Sequence, residues 1–186
     1  VANAVALQNI GYATLEGGQN PDKPYLFITG WNEEALDALP IKLLSGRLPE
    51  NSSEVVIPAH IAANGGVKIS VADTLTLSVS NRMSGNQKLS QHDSYCAGEE
   101  TLVPTTEKTY TVVGICQRPA IEEYAAPGYT LITTKDTAAA DSLTVFITLK
   151  NPYQVHSYAD IISDNNSYVL NDDVLRFMGL SGEKIL

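Results

Sequence analysis

Residues 24–44 read PYLFITGWNEEALDALPIKLL, and this stretch predicts the type of fold. Its first six residues are rich in the aromatic and β-branched side chains typical of strands. Asn32 is placed to cap a short helix, with Glu33 and Glu34 in the first turn, where negative charge suits the helix dipole. Pro40 ends that helix, and residues 41–44 return to strand. The stretch therefore predicts a β–α–β unit with a short helix.

A second unit of the same kind is predicted near the end of the chain. The run VFIT at 145–148 resembles LFIT at 26–29, and each precedes an Asn-capped helix. In the later unit Asn151 is the cap and Pro152 the first helical residue, and strand 168–170 and a helix over 172–178 follow. Two such units would flank a β-rich insertion, although aromatic-aliphatic strands also look alike by chance.

The middle of the chain is predicted to be mostly strand. Strands are expected at 54–57, 71–79 and 110–116, with a short helix over 58–63 that ends at the glycines Gly65 and Gly66. Residues 81–107 are polar and predict a long loop, which in proteins is usually functional, pinned or disordered. Strands at 129–133 and 143–149 are expected to form a hairpin.

Composition bounds the class of protein. With 186 residues, 44% of them hydrophobic, the chain can bury a proper core. Its net charge of −9 disfavours nucleic acid as a partner and suits an exposed, soluble surface. It has no apolar run of about 18 residues, no signal peptide and no initiator Met, so we expect a piece of a larger protein.

Catalytic and metal-binding patterns are weak in this sequence. His60, His92 and His156 are scattered, and two cysteines do not make a zinc site. His92 lies near Cys96, but no oxyanion motif or third group accompanies the pair. Cys96 and Cys116 would be separate thiols in a reducing compartment and could form one bridge in an oxidising one. We expect no catalytic residues, no cofactor and no metal, and therefore no enzymatic activity.

Four short motifs in a fixed order resemble the periplasmic core domain of MacB-like and FtsX-like ABC-transporter permeases. They read LLSGRLP at 43–49, EVVI at 54–57, ISVADTLTL at 69–77 and YTVVGI at 110–115. Each motif is weak alone, whereas the ordered set is fairly specific. One residue departs from the family pattern: Ala72 replaces the Gly that usually precedes Asp73, so a left-handed turn there would become costly.

The resemblance implies an α+β fold with two lobes. A discontinuous porter-like lobe of two β–α–β units would comprise residues 1–46 and 120–186, and residues 47–119 would form an inserted β-rich, sabre-like lobe. The domain would sit between two transmembrane helices of the permease, on the extracytoplasmic side of the cell membrane, either extracellular or periplasmic. In that oxidising location we expect Cys96 and Cys116 to form a disulfide that orders the polar loop.

The function implied by the resemblance is non-catalytic. The domain would bind a cargo or partner and transmit movement from the transmembrane helices during export or sensing of peptides, antibiotics or envelope components. ATP would be hydrolysed by a separate cytoplasmic subunit or domain, since no phosphate-binding loop occurs here. Alternatives are a secreted or surface adhesion or scaffold domain and an extracellular hydrolase.

Several individual residues are expected to have structural roles. Trp31 is predicted to be a buried anchor rather than a binding platform. Tyr124 and Tyr129 could line a cleft, but packing within a turn is the preferred interpretation. Arg47 and Asp73 are expected to hold turns by hydrogen bonds rather than to contact a substrate.

Overall fold

A computed structural model describes residues 1–39, 41–139, 142–162, 168 and 170 and shows a sheet-dominated α+β fold with few helices. The strands are β1 Asn3–Thr14, β2 Tyr25–Trp31, β3 Leu43–Gly46, β4 Glu54–Pro58, β5 Thr74–Ser84, β6 Gln87–Lys88, β7 Thr101–Cys116, β8 Gly128–Thr134 and β9 Leu143–Thr148. The helices are α1 Glu33–Ala38, α2 His60–Gly65 and α3 Val155–Ile162, with a 3₁₀ turn Pro152–Gln154 before α3. The predicted α+β class is confirmed. No helix in these described ranges is long and apolar enough to cross a membrane.

Six of the strands pair in a closed circuit, in the order β7–β4–β8–β2–β1–β5 and back to β7. Two pairs are parallel, β2 with β8 and β4 with β7, and the other pairs in the circuit are antiparallel. Strands β3, β6 and β9 attach to this circuit through β7, β5 and β1. The sheet thus closes on itself and encloses a single interior.

Side chains alternate between the inside and the outside of this closed sheet. The inward-facing residues form the main core, whose buried members include Leu26, Ile28, Val55, Val79, Val112 and Leu131. On the outer face of β1 and β2, Tyr12, Tyr25 and Phe27 form a second, aromatic cluster. Every residue of β2 is buried, because β2 lies between β1 and β8 and is covered on both faces.

The closed sheet does not confirm the two predicted lobes. Strands assigned to the porter-like lobe (β1, β2 and β8) and strands assigned to the insertion (β4, β5 and β7) belong to one circuit. The residue boundaries of those lobes remain a prediction. By spatial clustering the chain instead divides into a large unit, Val5–Val145, and a small unit, Val1–Ala4 with Phe146–Leu186.

Local predictions about helices are confirmed where the structure describes them. The Asn32 side chain accepts a hydrogen bond from the Ala35 N–H at 2.9 Å, and the Asn151 side chain accepts one from the Tyr153 N–H at 3.1 Å. Helix α2 ends at Gly66, which has a φ of 72° in the left-handed region. Of the predicted strand 168–170, Tyr168 and Leu170 carry no regular structure, and the predicted helix 172–178 lies outside the described residues.

Two predictions about strands are wrong. The stretch 81–107 is not one long loop, because β5 continues to Ser84 and β7 already begins at Thr101. These strands escaped notice because most β7 residues from 101 to 109 are exposed and polar, so no apolar alternation marks them. The predicted hairpin of β8 and β9 does not form either. Strand β8 is central, with its two edges taken by β2 and β4, and β9 pairs with β1.

Two of the sequence motifs that suggested a permease domain meet where strands of this sheet approach each other closely. Gly46 and Gly114 lie opposite each other where β3 pairs with β7. A Cβ atom on Gly46 would lie 2.1 Å from the Val113 carbonyl oxygen, and one on Gly114 would lie 2.4 Å from the Arg47 carbonyl oxygen. Only glycine permits this approach, and Gly46 also has a φ of 73°, which other residues adopt at a cost.

Candidate functional site

A buried carboxylate, Glu122, ties together three parts of the chain that are far apart in sequence. Its Oε1 lies 3.0 Å from Lys23 Nζ and 2.7 Å from His60 Nε2, and its Oε2 accepts the Thr130 N–H at 2.7 Å. Lys23 comes from the loop between β1 and β2, His60 begins α2, and Thr130 belongs to β8. We call these four residues the Glu122 centre.

The charges of the Glu122 centre stabilise one another. Burial by itself would raise the pKa of Glu122, but the hydrogen bond with His60 and the charge of Lys23 lower it below its ordinary value. Burial also lowers the pKa of Lys23, and the adjacent Glu122 carboxylate opposes that shift. An ionised carboxylate can remain buried here because positive charge and a backbone donor surround it.

The geometry of the Glu122 centre suits anchoring better than catalysis. The Glu122 side chain is 0% exposed and both of its oxygens are engaged, so it presents no free carboxylate oxygen to a substrate. The nearby Cys116 is buried, and burial raises the pKa of its thiol to about 12, which keeps it protonated and unreactive. In the part of the chain that the structure describes, no group of three or more His, Cys, Asp or Glu side chains could hold a metal ion.

The Glu122 centre fixes a turn that presents an exposed tyrosine. Residues 118–126, which we call the Tyr124 turn, connect β7 to β8 and contain Glu122. Within it the Glu122 N–H donates to the Pro119 carbonyl at 3.0 Å, and the Ala126 carbonyl accepts Lys23 Nζ at 2.6 Å. Tyr124 lies between these fixed points and is 91% exposed. The preference for a packed tyrosine at this position is wrong, because the turn directs its ring into solvent.

A second buried ion pair holds the polar segment 89–100, which we call the strap. Arg82 on β5 is 0% exposed and makes a bidentate pair with Glu100, at 2.5 Å for Nη2–Oε2 and 3.2 Å for Nε–Oε1. Its remaining donors reach the carbonyl oxygens of Ser90, Asp93 and Ser94. The guanidinium also faces the rings of the outer aromatic cluster, 5.4 Å from Tyr12 and 5.7 Å from Tyr25. This part of the predicted loop is therefore held in place by an ion pair and by hydrogen bonds.

The predicted disulfide between Cys96 and Cys116 is wrong: both cysteines are free, Cys96 exposed and Cys116 buried. Cys116 is the last residue of β7, whose 16 residues span about 50 Å at roughly 3.3 Å per residue. Cys96 precedes the start of β7 by five residues, which reach at most about 18 Å. A disulfide needs Cα atoms within about 7 Å, so the length of β7 keeps the two thiols apart.

Other residues singled out in the sequence have the structural roles expected of them. Trp31 is 2% exposed and is a buried anchor. Arg47 forms a bidentate pair with Glu54 at 2.6 and 2.7 Å, which joins two of the four motifs. Asp73 accepts the Ser70 N–H at 2.7 Å and so closes its turn. Tyr129 is buried, with its hydroxyl donating to Asn64 at 2.6 Å.

Ala72 does adopt the left-handed conformation that its side chain disfavours. Its φ is 76°, the only positive value of a non-glycine residue among those described. The turn therefore keeps the left-handed conformation in spite of the cost expected from the sequence. The Ala72 N–H donates to the Val112 carbonyl and the Val112 N–H to the Asp73 carbonyl, both at 2.8 Å, so pairing with β7 fixes the turn.

Sequence reasoning missed the residues that organise both sites. Lys23 and Glu122 carry no local signal, because each is a charged residue in a turn and their proximity depends on strands far apart in sequence. Arg82 is the one basic residue of β5, but a register shift after Val79 puts it out of step with the apolar alternation of Leu75, Leu77 and Val79, so the pattern gave no signal for it. The three histidines do not converge: His60 belongs to the Glu122 centre, and His92 forms an exposed pair with Glu123 at 2.5 Å.

Comparisons with known proteins give little beyond this geometry. No protein-family model matches the chain, and no curated protein matches it. Among solved structures, the chain is similar to the extracellular domain of the noncanonic ABC-type transporter YknZ from Gram-positive bacteria. The match has a TM-score of 0.38 and 10% identity, and covers 88% of this chain and 94% of that one. A likeness at this TM-score carries no argument about fold or function.

Proposed function

We propose that this chain is a non-catalytic extracytoplasmic domain of an ABC-transporter permease. It binds a cargo or partner and transmits movement from the transmembrane helices of the same permease. ATP is hydrolysed by a separate cytoplasmic subunit or domain, and the cargo is a peptide, an antibiotic or an envelope component. The four ordered motifs support this proposal, and the arrangement of β1 and β9 carries it.

Among the strands that the structure describes, the first, β1, and the last, β9, lie side by side. In the small unit the Ala2 N–H donates to the Thr148 carbonyl at 2.7 Å, and in the large unit the Asn9 N–H donates to the Ser142 carbonyl at 2.7 Å. Residue numbers rise along one strand as they fall along the other, so the pair is antiparallel. Their pairing is what we expect of strands near the entry and exit of a domain inserted between two membrane helices, with residues 149–186 following β9.

This arrangement also suggests how force enters the domain. If two helices joined to β1 and β9 moved apart, they would load the pair at its Ala2–Thr148 end first. An antiparallel ribbon loaded at one end separates bond by bond, so small movements of the helices become local changes in the sheet. The closed circuit that contains β1 would then carry the change onward.

The structural role of the motifs supports a function without catalysis. Gly46 and Gly114 permit a close approach of two strands, and Arg47 with Glu54 links two turns. These residues therefore identify a fold rather than a reaction. The Glu122 centre is enclosed and its chemistry is that of an anchor, so no observation favours a hydrolase over the proposed role.

The location is tested in the source organism with an antibody against this chain. We expect the antigen in the membrane fraction, on a polypeptide longer than this chain, and cleavable by protease added outside intact cells or spheroplasts. An ATP-binding subunit or domain should accompany it after detergent extraction. Antigen in the cytosol, or antigen protected until the membrane is broken, would refute the proposal.

Force transmission is tested by locking β1 to β9. In the double variant Ala2→Cys/Thr148→Cys, oxidation of the detergent-solubilised complex should join the two strands and abolish the stimulation of ATPase activity. Reduction of this disulfide should restore the stimulation. The variants Ala2→Cys and Thr148→Cys, each alone, serve as matched controls and should respond to neither treatment. Full activity of the cross-linked complex would show that β1 and β9 need not separate.

A further inference from the structure

Tyr124 is exposed in a way that folding does not explain. Isolated apolar side chains on a protein surface are common and need no special account. Tyr124 differs because 91% of it is exposed while its backbone is held on both sides. At this exposure the Tyr124 ring adds nothing to the core.

The Tyr124 turn is fixed before any partner arrives. On one side, the Glu122 carboxylate is buried in the Glu122 centre and its backbone N–H donates to Pro119. On the other side, the Ala126 N–H donates to the Glu123 carbonyl at 3.2 Å, and Glu123 pairs with His92 on the strap. A group held in place loses little conformational entropy on binding, which raises the affinity gained from each contact.

Arg118 supplies charge beside the exposed ring. Its guanidinium carbon lies 5.9 Å from the centre of the Tyr124 ring, within cation–π distance. Among the described residues Arg118 makes no ion pair, although the chain has a net charge of −9. The turn therefore offers an unpaired cation next to an aromatic ring. Tyrosine and arginine are enriched among the residues that dominate binding energy at protein interfaces.

We propose that the Tyr124 turn is a protein-docking surface. Its partner is a protein that offers an apolar pocket to the Tyr124 ring and a carboxylate to Arg118. The surface deepens the proposed function, because it names where a partner outside the membrane makes contact. The contact chemistry itself does not depend on the chain belonging to a permease.

The first test places a photo-crosslinking amino acid, benzoylphenylalanine, at the exposed Ala125 in the intact protein, expressed in its own cells. We expect irradiation to give one discrete adduct with another polypeptide. Adding Tyr124→Ala or Arg118→Glu should reduce its yield tenfold or more, whereas Arg118→Lys should retain part of it. Tyr153→Ala is the matched control, because Tyr153 is also highly exposed, at 74%, and should leave the yield unchanged.

The second test uses the adduct partner after its identification by mass spectrometry. Purified chain should bind purified partner with a dissociation constant that Tyr124→Ala raises tenfold or more. Combining Arg118→Glu with an acidic-to-arginine change at the partner's cross-linked site should restore binding. The purified Tyr124→Ala chain should melt at the wild-type temperature, which separates lost docking from lost folding.

The outcomes separate this inference from the proposed function. No adduct at Ala125, an adduct indifferent to Tyr124→Ala, or an adduct with a carbohydrate would overturn the docking surface and leave the extracytoplasmic location standing. Antigen in the cytosol would overturn the proposed function. A Tyr124-dependent protein adduct found there would still support docking.

Discussion

Replacing Glu100 with glutamine removes the charge that compensates Arg82 while nearly preserving the shape of the side chain. Arg82 is 0% exposed and the Glu100 side chain 1% exposed, so neither water nor salt can replace the lost carboxylate. Removing one partner of a buried pair typically costs about 3–5 kcal/mol. The glutamine side chain keeps one acceptor oxygen and Arg82 keeps its carbonyl partners, so we expect the lower end, about 3 kcal/mol. For a chain of this size that lowers the melting temperature by roughly 6–12 °C.

In addition to this loss of global stability, Glu100→Gln should loosen the strap locally. Only Leu89 and Tyr95 give it half-buried apolar side chains, so its position depends mainly on Arg82. In Glu100→Gln we expect faster hydrogen exchange over residues 89–100 and faster tryptic cleavage after the exposed Lys88, with the main core still protected.

Urea denaturation, hydrogen exchange and limited proteolysis measure these effects. The double variant Arg82→Leu/Glu100→Leu is the control, because it removes both charges. It leaves no uncompensated buried charge, but the carbonyls of Ser90, Asp93 and Ser94 lose their donor at roughly 1 kcal/mol each, so we expect a loss similar to that of Glu100→Gln. A loss below about 1 kcal/mol in Glu100→Gln, with unchanged strap protection, would refute the role assigned to this pair.

Three further predictions concern other parts of the chain. Ala72→Gly should raise the free energy of unfolding, measured in urea, by about 0.5–1 kcal/mol, because glycine accepts a φ of 76° without strain. The exposed helical control Ala62→Gly should lower it by a similar amount. A lower free energy of unfolding in both variants would contradict the reasoning. Since the pKa of Glu122 in the folded chain lies below its ordinary 4.5, the contribution of this carboxylate to stability should be complete above pH 4.5 and disappear as the pH falls below it. In Glu122→Gln this loss of stability in acid, measured by denaturation from pH 7 to pH 3, should be smaller. An unchanged pH profile would exclude the carboxylate as its source. Iodoacetamide should label Cys96 in the native chain but Cys116 only after unfolding, and a mass spectrum with both thiols resistant under non-reducing conditions would restore the disulfide.

The local features of the fold followed from the sequence because neighbouring residues decide them. Asn32 and Asn151 cap helices by bonding N–H groups two or three residues away, and Gly66 ends α2 because it tolerates a left-handed φ. The turn residues Arg47 and Asp73 were predicted correctly for the same reason. Most apolar strands were also found where aromatic and β-branched residues cluster.

The order of strands could not be read in this way. Strand β2 pairs in parallel with β8, about 100 residues later in the chain, and β4 pairs in parallel with β7, almost 60 residues later. A repeated LFIT or VFIT motif predicts strands but not their neighbours. A hairpin of β8 with β9 was therefore reasonable from the sequence, yet β8 lies between β2 and β4, and β9 pairs with β1.

The candidate site shows the same division. The sequence by itself determined that Tyr124 lies in a turn after Pro119 and that the polar segment near Cys96 needs an anchor. Only the tertiary structure decided that Glu122 meets Lys23 and His60, and that Arg82 rather than a disulfide holds the strap. The physical reason is that buried ion pairs depend on which strands become neighbours, and the distances between strands, such as the length of β7, exist only after the sheet has formed.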